Sequence, residues 1–343
     1  MNELQIQIVT SIHNIDSTAW NQLSAGKPFQ SHRWYAYGEH VMSDCEPIYL
    51  LAYQDEQLIG RATFWVIRNE PLPQSVGSWR SVLQALLHRW PLMICRSPLA
   101  YTTGLILPTE EFLREQTLSA LTQTALTQGR QRKCSALLFD YLGREEGKNW
   151  PHEFTVTEVS NPGTIMENRW NDFESYLQDG NKKDRQHYKR TTREAEKLNI
   201  KVTRHAHADK LEEALSLIRN VEGDHGAPEN PWARAALENM EMVNGTFLAA
   251  KVNDTLMGCG VLFEDNDSQM AALLGIAKNT QYVYFMLIYE NLKVAFEKGI
   301  HSLRWGSGAY DVKQKLGFSL EDNGIFAYTA IHPLLKTVIR WLG

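Results

Sequence analysis

LAYQDEQLIG, Leu51 to Gly60, decides how the chain is read. An apolar run meets the polar pair Asp55-Glu56 and then resumes, which is a hairpin signal. The pattern returns as LAAKVNDTLMG, Leu248 to Gly258, with its turn at Asn253-Asp254. Each returning run carries a glycine, Gly60 or Gly258, and continues into a further apolar run, ATFWVI or CGVLF. A glycine inside a strand predicts a bulge or the close approach of something to the backbone.

The agreement continues downstream. Glu110 to Gln128 has helical periodicity, ends at Gly129 and leads into the strand SALLFDYL. Tyr282 to Lys298 is likewise helical, ends at Gly299 and leads into HSLRW. Both glycines stand where a left-handed helix cap is expected. Hairpin, further strand, helix, strand is therefore a mixed α/β unit that occurs twice. Gly147, Pro151 and Asn161-Pro162-Gly163 mark a boundary near Trp150–Asn161. The expected domains are 1–155 and 156–343. The second opens with a basic helical segment, 170–199, predicted as helices Trp170–Gln178 and Asn181–Asn199. A strand Ile200–Arg204 and helices Ala208–Val221 and Pro231–Val243 come next.

Composition bounds the function. A chain of 343 residues exceeds what one core usually serves, and 43% hydrophobic with 22% charged residues is ordinary globular protein. A net charge of -5 excludes a surface that binds nucleic acid throughout, though not a local patch. Cys45, Cys95, Cys134 and Cys259 lie far apart without a CxxC pair, so reduced thiols in a cytoplasmic protein are expected. The N-terminus lacks a signal-peptide pattern, and no run approaches the roughly 18 apolar residues of a spanning helix. GxSxG, P-loop and HExxH motifs are absent, which weighs against serine hydrolases, P-loop NTPases and zincins. His205 and His207 alternate on a strand, but no third ligand is in sequence reach, so no metal site is expected.

Three stretches carry a resemblance. PFQSHRWYAYGEH, Pro28 to His40, is similar to a Phe/Leu-Gln-Ser-x-x-Trp helix opening. NKKDRQHYKRTTREAEKLNI, from Asn181, resembles a basic helix that ends before a strand. EKGIHSLRWGSGAYDVKQKLGF, to Phe318, resembles a strand, a glycine-rich turn and a Tyr/Phe-x-x-Lys element running into Gly-Phe. Their order, with the two hairpins, resembles the tandem GNAT-fold acyltransferases, specifically the FemAB-like group and its peptidoglycan or polysaccharide biosynthesis relatives, over most of the chain. The resemblance implies an α/β (α+β) fold of two GNAT-like units, each a mixed, largely antiparallel sheet flanked by helices. It also implies N-acyl transfer to an amine acceptor without a covalent enzyme intermediate. The co-substrate would be acyl-CoA or aminoacyl-tRNA, with no tightly bound cofactor. The acceptor would be a small-molecule, glycan or peptide amine; tRNA is the macromolecular partner admitted, and no obligate protein partner is implied. Single-domain acetyltransferases hold pyrophosphate on a Gln/Arg-x-x-Gly-x-Gly/Ala loop at a helix start. LILPTEEFL and GIAKNTQYVYF, at the corresponding places, do not fit it. The first unit then reads as degenerate. A non-catalytic glycan- or nucleotide-binding protein on a decayed scaffold is the alternative.

Both readings supply candidate residues. Lys182, Lys183, Arg185, Lys189, Arg190, Arg193, Lys197, Lys201 and Arg204 face only Asp184, Glu194 and Glu196 in their stretch. Such a one-signed patch suits phosphates, with Arg185, Tyr188 and Lys189 as ligands, or is a solvated helix face. The resemblance places Lys313 beside the oxyanion of acyl transfer, with Tyr310 one turn earlier as a hydrogen-bond donor. Gly306 and Gly308 permit the turn that delivers them. It likewise assigns Gln30 and Trp34 to substrate or donor binding. Between two predicted helices, EGDHGAPENPW offers Glu222 and His225 as bases and Asp224 as a binding group, or is a plain connection. WRSVLQALLHRW, Trp79 to Trp90, has an amphipathic pattern that suits packing, a lid or a peripheral membrane contact, and HPLLKTVIRWLG at the C-terminus shares the ambiguity.

Overall fold

Both polar pairs are hairpin turns. Asp55 and Glu56 have φ of 49° and 62°, and Asn253 and Asp254 have 47° and 64°. Positive φ at both central residues is what a two-residue turn between right-twisted strands requires. The computed structural model describes residues 4–72, 77, 79–158 and 162–332. It divides into two compact units, Met1–Pro162 with Asp322–Gly343, and Gly163–Glu321.

The first unit runs β1 (Gln5–Val9), α1 (Ser17–Leu23), α2 (His32–Val41), β2 (Glu46–Gln54), β3 (Gln57–Ile67), α3 (Arg80–Arg89), β4 (Leu92–Cys95), β5 (Leu105–Ile106), α4 (Glu111–Gln131), β6 (Ala136–Leu142) and β7 (Thr155–Glu158). The second begins β8 (Thr164–Glu167), α5 (Phe173–Asp179), α6 (Lys182–Lys197), β9 (Ile200–His205), α7 (Leu211–Asp224) and α8 (Ala233–Glu238). It continues β10 (Thr246–Val252), β11 (Thr255–Asp265), β12 (Ser268–Ile276), α9 (Val283–Glu297), β13 (Ser302–Trp305), α10 (Tyr310–Lys315) and β14 (Ser319–Leu320). A last strand, β15 (Ile325–Ala330), returns to the first unit.

Strand order is β1-β2-β3-β4-β6-β15-β7 in the first sheet, with β5 on β3, and β14-β8-β13-β12-β11-β10-β9 in the second. Each sheet is antiparallel except for one neighbouring parallel pair, β4–β6 or β12–β13. The two strand glycines have the same cause. A Cβ on Gly60 would lie 2.9 Å from Thr117 Cγ2 of α4, and one on Gly258 would lie 2.4 Å from Val283 Cγ1 of α9. Each marks where the long helix presses on its sheet. The cores pack there: Leu50, Phe64, Leu121 and Phe139 in the first unit, Leu248, Leu262, Leu287 and Val294 in the second.

Two expectations differ from the structure. Gly129 is not a cap: α4 runs through it to Gln131, and a Cβ there would meet Ile331 Cδ1 at 2.3 Å. Gly299, at φ 64°, does adopt the left-handed conformation. Secondly, β15 pairs with β6 and β7, so the segment assigned by sequence to 156–343 completes the first unit's sheet. Helix α3 forms with the amphipathic pattern expected of it, and none of its residues is fully buried. Asn161 and the tail from Pro333 lie outside the described residues.

Candidate functional site

In the second unit β12 pairs with β13 only from Ser268–Ser302 to Ala271–Trp305. β12 then runs on to Ile276, held on its other side by β11, while the chain turns away after Trp305. Its edge from Ala272 is thus left open toward β13, beside a bulge that puts Leu273 at φ 51°. Because the two strands are parallel, the chain leaves both of them at the same end of the sheet. Ligand clefts in such sheets open at the carboxyl ends of parallel strands.

From β13 comes the glycine turn. Gly308 at φ 85° and Ala309 at φ 48° turn the backbone into α10. Lys313 is only 7% exposed, and its ammonium donates to the carbonyls of Gly306 and Ser307. Burial pushes its pKa down to about 8. The lysine therefore clamps the turn from beneath rather than projecting into solvent. Tyr310 is half-buried one turn earlier. Trp305 stacks on Phe318 at 4.1 Å, and its buried indole N–H has no acceptor among the described residues. An orphaned buried donor costs about 1–3 kcal/mol, unless water or a ligand accepts from it.

From β12 comes α9. Its first residue comes directly after Tyr282 at φ 66°, and no side chain caps the helix N-terminus. The equivalent α4 of the first unit differs: Glu110 accepts from the backbone N–H groups of Phe112 and Leu113. A carboxylate already occupies those donors and opposes any second anion. In the first unit the strand that runs on is the other one: β4 ends at Cys95 opposite Phe139, while β6 continues to Leu142.

Helix α6 packs beside α9. Asn181 caps it, Thr191 and Ala195 are buried, and Tyr188 packs edge-on against Phe173 and Tyr289 at 5.2 and 4.9 Å. Arg185 donates to the carbonyls of Gln178 and Gly180 and so ties down the end of α5. Lys182, Lys183, Lys189 and Arg190 are exposed and form no ion pair among the described residues. Reading the sequence does not single out His187. Its Nδ1 lies 2.8 Å from the Tyr289 hydroxyl and its ring 4.6 Å from Phe285. Burial holds its pKa below the ordinary value, with the charges of Arg190 and Lys315 adding and Asp184 opposing. Lys315 thus comes from α10 and Arg190 from α6 to one imidazole, while Tyr176 of α5 donates to Leu316 O at 3.0 Å. The signal that marks His187 is its position in the inward row 184, 187, 188, 191 and 195 of α6.

The remaining candidates are engaged elsewhere, although Asp224 reaches Lys278 of the β12–α9 connection. Glu222 accepts from Arg219 at 2.6 Å and from Asn230 N at 3.0 Å, stitching its own loop. Asp224 faces Lys278 at 3.9 Å, and His225 is exposed. Gln30 and Trp34 are buried in the first unit. Gln30 donates to Thr103 O at 2.6 Å and accepts from Tyr35 and the fully buried Arg61. Trp34 donates to Ser97 and Pro98 O. Both sets of polar groups are engaged within the scaffold. Two hollows of about 440 and 500 Å³ flank β9, but Arg204 and Lys251 within them are paired with Glu290, Glu297 and Asp209, and neither hollow is lined by Lys313.

The architecture is shared with known proteins. Over 97% of this chain and 99% of its own, the crystal structure of FemX aligns with a TM-score of 0.61 at 12% identity. A tandem GNAT protein from the clavulanic acid biosynthesis pathway aligns at 0.56 and 10% identity, over 96% and 99% of the two chains. The C-terminal domain of a putative lysylphosphatidylglycerol synthetase from Agrobacterium fabrum aligns at 0.53 and 7%, over 95% of each. These likenesses show a tandem GNAT fold. No curated protein matches the sequence. The profile of the FemAB-like family, described as peptidoglycan biosynthesis/recognition, matches residues 11–342. With that match across nearly its full length, the chain belongs to the FemAB-like family.

Proposed function

We propose that the second unit transfers an aminoacyl group from charged tRNA to the amine of a cell-wall precursor. The observation that carries this reading is the open edge of β12, which shares one end of the sheet with the uncapped start of α9 and the Lys313 turn. The exposed cations of α6, without ion pairs among the described residues, suit the phosphodiester backbone of a nucleic-acid carrier. The β12–α9 loop also lacks the glycines of a coenzyme A site. Membership of a family described by peptidoglycan biosynthesis/recognition supports the substrate class. The first unit is then a supporting domain, its helix start already occupied by Glu110.

In the reaction the acceptor nitrogen attacks the ester carbonyl carbon. A C–N bond forms, the carbonyl π pair becomes an oxyanion, and its collapse breaks the bond to the ribose oxygen. The nitrogen gives up one proton and the leaving oxygen gains one. His187, kept neutral by burial and by Arg190, takes that proton at Nε2 when Nδ1–H donates to Tyr289. Tyr310 donates to the oxyanion, and Lys313 is a positioning residue that holds the turn on which Tyr310 sits.

The test is transfer of a labelled amino acid from charged tRNA to a muropeptide amine, run beside acyl-CoA donors. Transfer from tRNA that falls steeply with salt is expected. Transfer only from acyl-CoA would replace the donor, whereas tight glycan binding without transfer from either would favour the non-catalytic alternative.

A further inference from the structure

Helix α3 sits in the first unit and takes no part in the chemistry above. Trp79 is 67% exposed, Val82 48% and Leu86 39%, and Trp79 exceeds every other large hydrophobic among the described residues. Positions 79, 82, 86 and 89 form one row of a helix, so Trp79, Val82, Leu86 and Arg89 present a single line to solvent. The other half of the apolar stripe holds the helix down. Leu83, Leu87 and Trp90 are half-buried, and the Trp90 ring meets His332 at 4.9 Å.

The charge around this line has one sign. Between Glu70 and Glu110 the sequence contains no Asp or Glu, while Arg80, His88 and Arg89 fall on the helix; Arg96, also within it, is spent on Glu70 and Asp140. Glu70 is engaged by Arg96 through two bonds of 2.9 and 2.7 Å. Arg80 and Arg89 flank the apolar stripe on opposite sides, Arg89 exposed and Arg80 half-buried with one N–H donated to Leu72 O at 2.6 Å, and Arg68 donates to His88 O at 2.8 Å, adding a cation at the helix end. A chain of net charge -5 is otherwise repelled by an anionic surface, so this local inversion selects where contact occurs. No described helix is long and apolar enough to cross a membrane, and ten residues suit a helix lying in the interface.

We propose that α3 docks the protein on an anionic lipid bilayer. Trp79, Val82 and Leu86 enter the headgroup layer, and Arg89 meets the lipid phosphates with Arg80 and Arg68 close behind. The inference is independent of which donor the second unit uses.

The experiment is co-sedimentation of the full chain with vesicles of phosphatidylcholine alone, or mixed with phosphatidylglycerol. Binding to the mixed vesicles only is expected, weakening with salt. Val82→Glu with Leu86→Glu should lower the partition coefficient at least about ten-fold. Arg89→Gln should lower it about five-fold, the effect of one cation at such a surface. Phe112→Glu, a similarly exposed apolar position on α4, should leave it unchanged. All these side chains are solvent-facing, and unchanged melting curves would confirm folding. Equal binding to neutral vesicles, no binding, or variants that bind like wild type would each overturn the proposal. So would a concentration-dependent dimer that the α3 double variant converts to monomer.

Discussion

Replacing Lys313 with methionine separates the clamp from the charge. From the ordinary 10.5 the amine falls to about 8 in the folded unit. At ~1.4 kcal/mol per pH unit, folding then disfavours the ammonium by on the order of 3 kcal/mol. Below pH 8 both the folded and unfolded chains hold the proton, and the penalty is present in full. Between about pH 8 and 10.5 the unfolded chain keeps a proton that the folded chain has released, so stability rises with pH. Methionine fills a similar volume without charge and removes this rise. The Gly306 and Ser307 carbonyls lose a charged donor, but Gly306 is only half-buried and Ser307 is exposed, so water replaces it. Lys313→Met should therefore be at least as stable as wild type at pH 7, and wild type should gain on it by about 2.5 kcal/mol by pH 10. Urea unfolding of both proteins across that range, followed at the transition of the second unit, measures the difference. Parallel stability curves would refute the buried-ammonium account. In the transfer assay Lys313→Met should lose at least about ten-fold in kcat with KM little changed, because it releases the turn that places Tyr310. Lys313→Arg, which keeps its charge at all pH, should lack the decline that wild type shows above pH 8.

Other perturbations test further parts of the structure. The His187 imidazole should titrate below its ordinary 6.5 by NMR, and Arg190→Gln or Lys315→Gln should raise it. Since the folded chain binds that proton less tightly than the unfolded chain, His187 lowers stability as pH falls below 6.5, and His187→Gln should flatten that loss. Gly275→Ala should cost about 2–3 kcal/mol in a denaturant melt, because its Cβ would lie 2.8 Å from the Ile218 backbone nitrogen and α7 must move. Gly258→Ala should cost less, since Val283 and Leu287 side chains can yield. Gln30→Leu removes one acceptor of the buried Arg61 guanidinium, which keeps Thr63 Oγ1 and the residue-30 carbonyl, and should cost about 1–3 kcal/mol. Lost transfer with an unchanged melt would instead make Gln30 a ligand.

The duplicated unit was legible because its signals are local. A left-handed polar pair at each turn and a glycine under each long helix can be read from a dozen residues. Pairing at long range leaves no such trace. Nothing in Ile325–Ala330 distinguishes a strand for β6 from one for the second sheet, and the Gly129 misreading has the same root. A glycine near a helix end looks like a cap until Ile331, arriving behind β15, is known to need its space. At the site, the Lys313 turn could be located by resemblance, but not that the ammonium points into its own loop. His187 was hidden among basic neighbours, since its distinction comes from Tyr289 on another helix.

The return of β15 has a consequence for synthesis. A ribosome adds on the order of 5–20 residues per second, and amino-terminal domains usually fold as they emerge. Here β6 and β7 must wait for Ile325–Ala330, made after the whole second unit. Until then the nascent first sheet carries an open edge at β6, the kind of edge that recruits strands from other chains. The second unit has no such delay, because β8 precedes the rest of its sheet. The half made first is thus the half finished last, and during its own translation it is the one that needs protection.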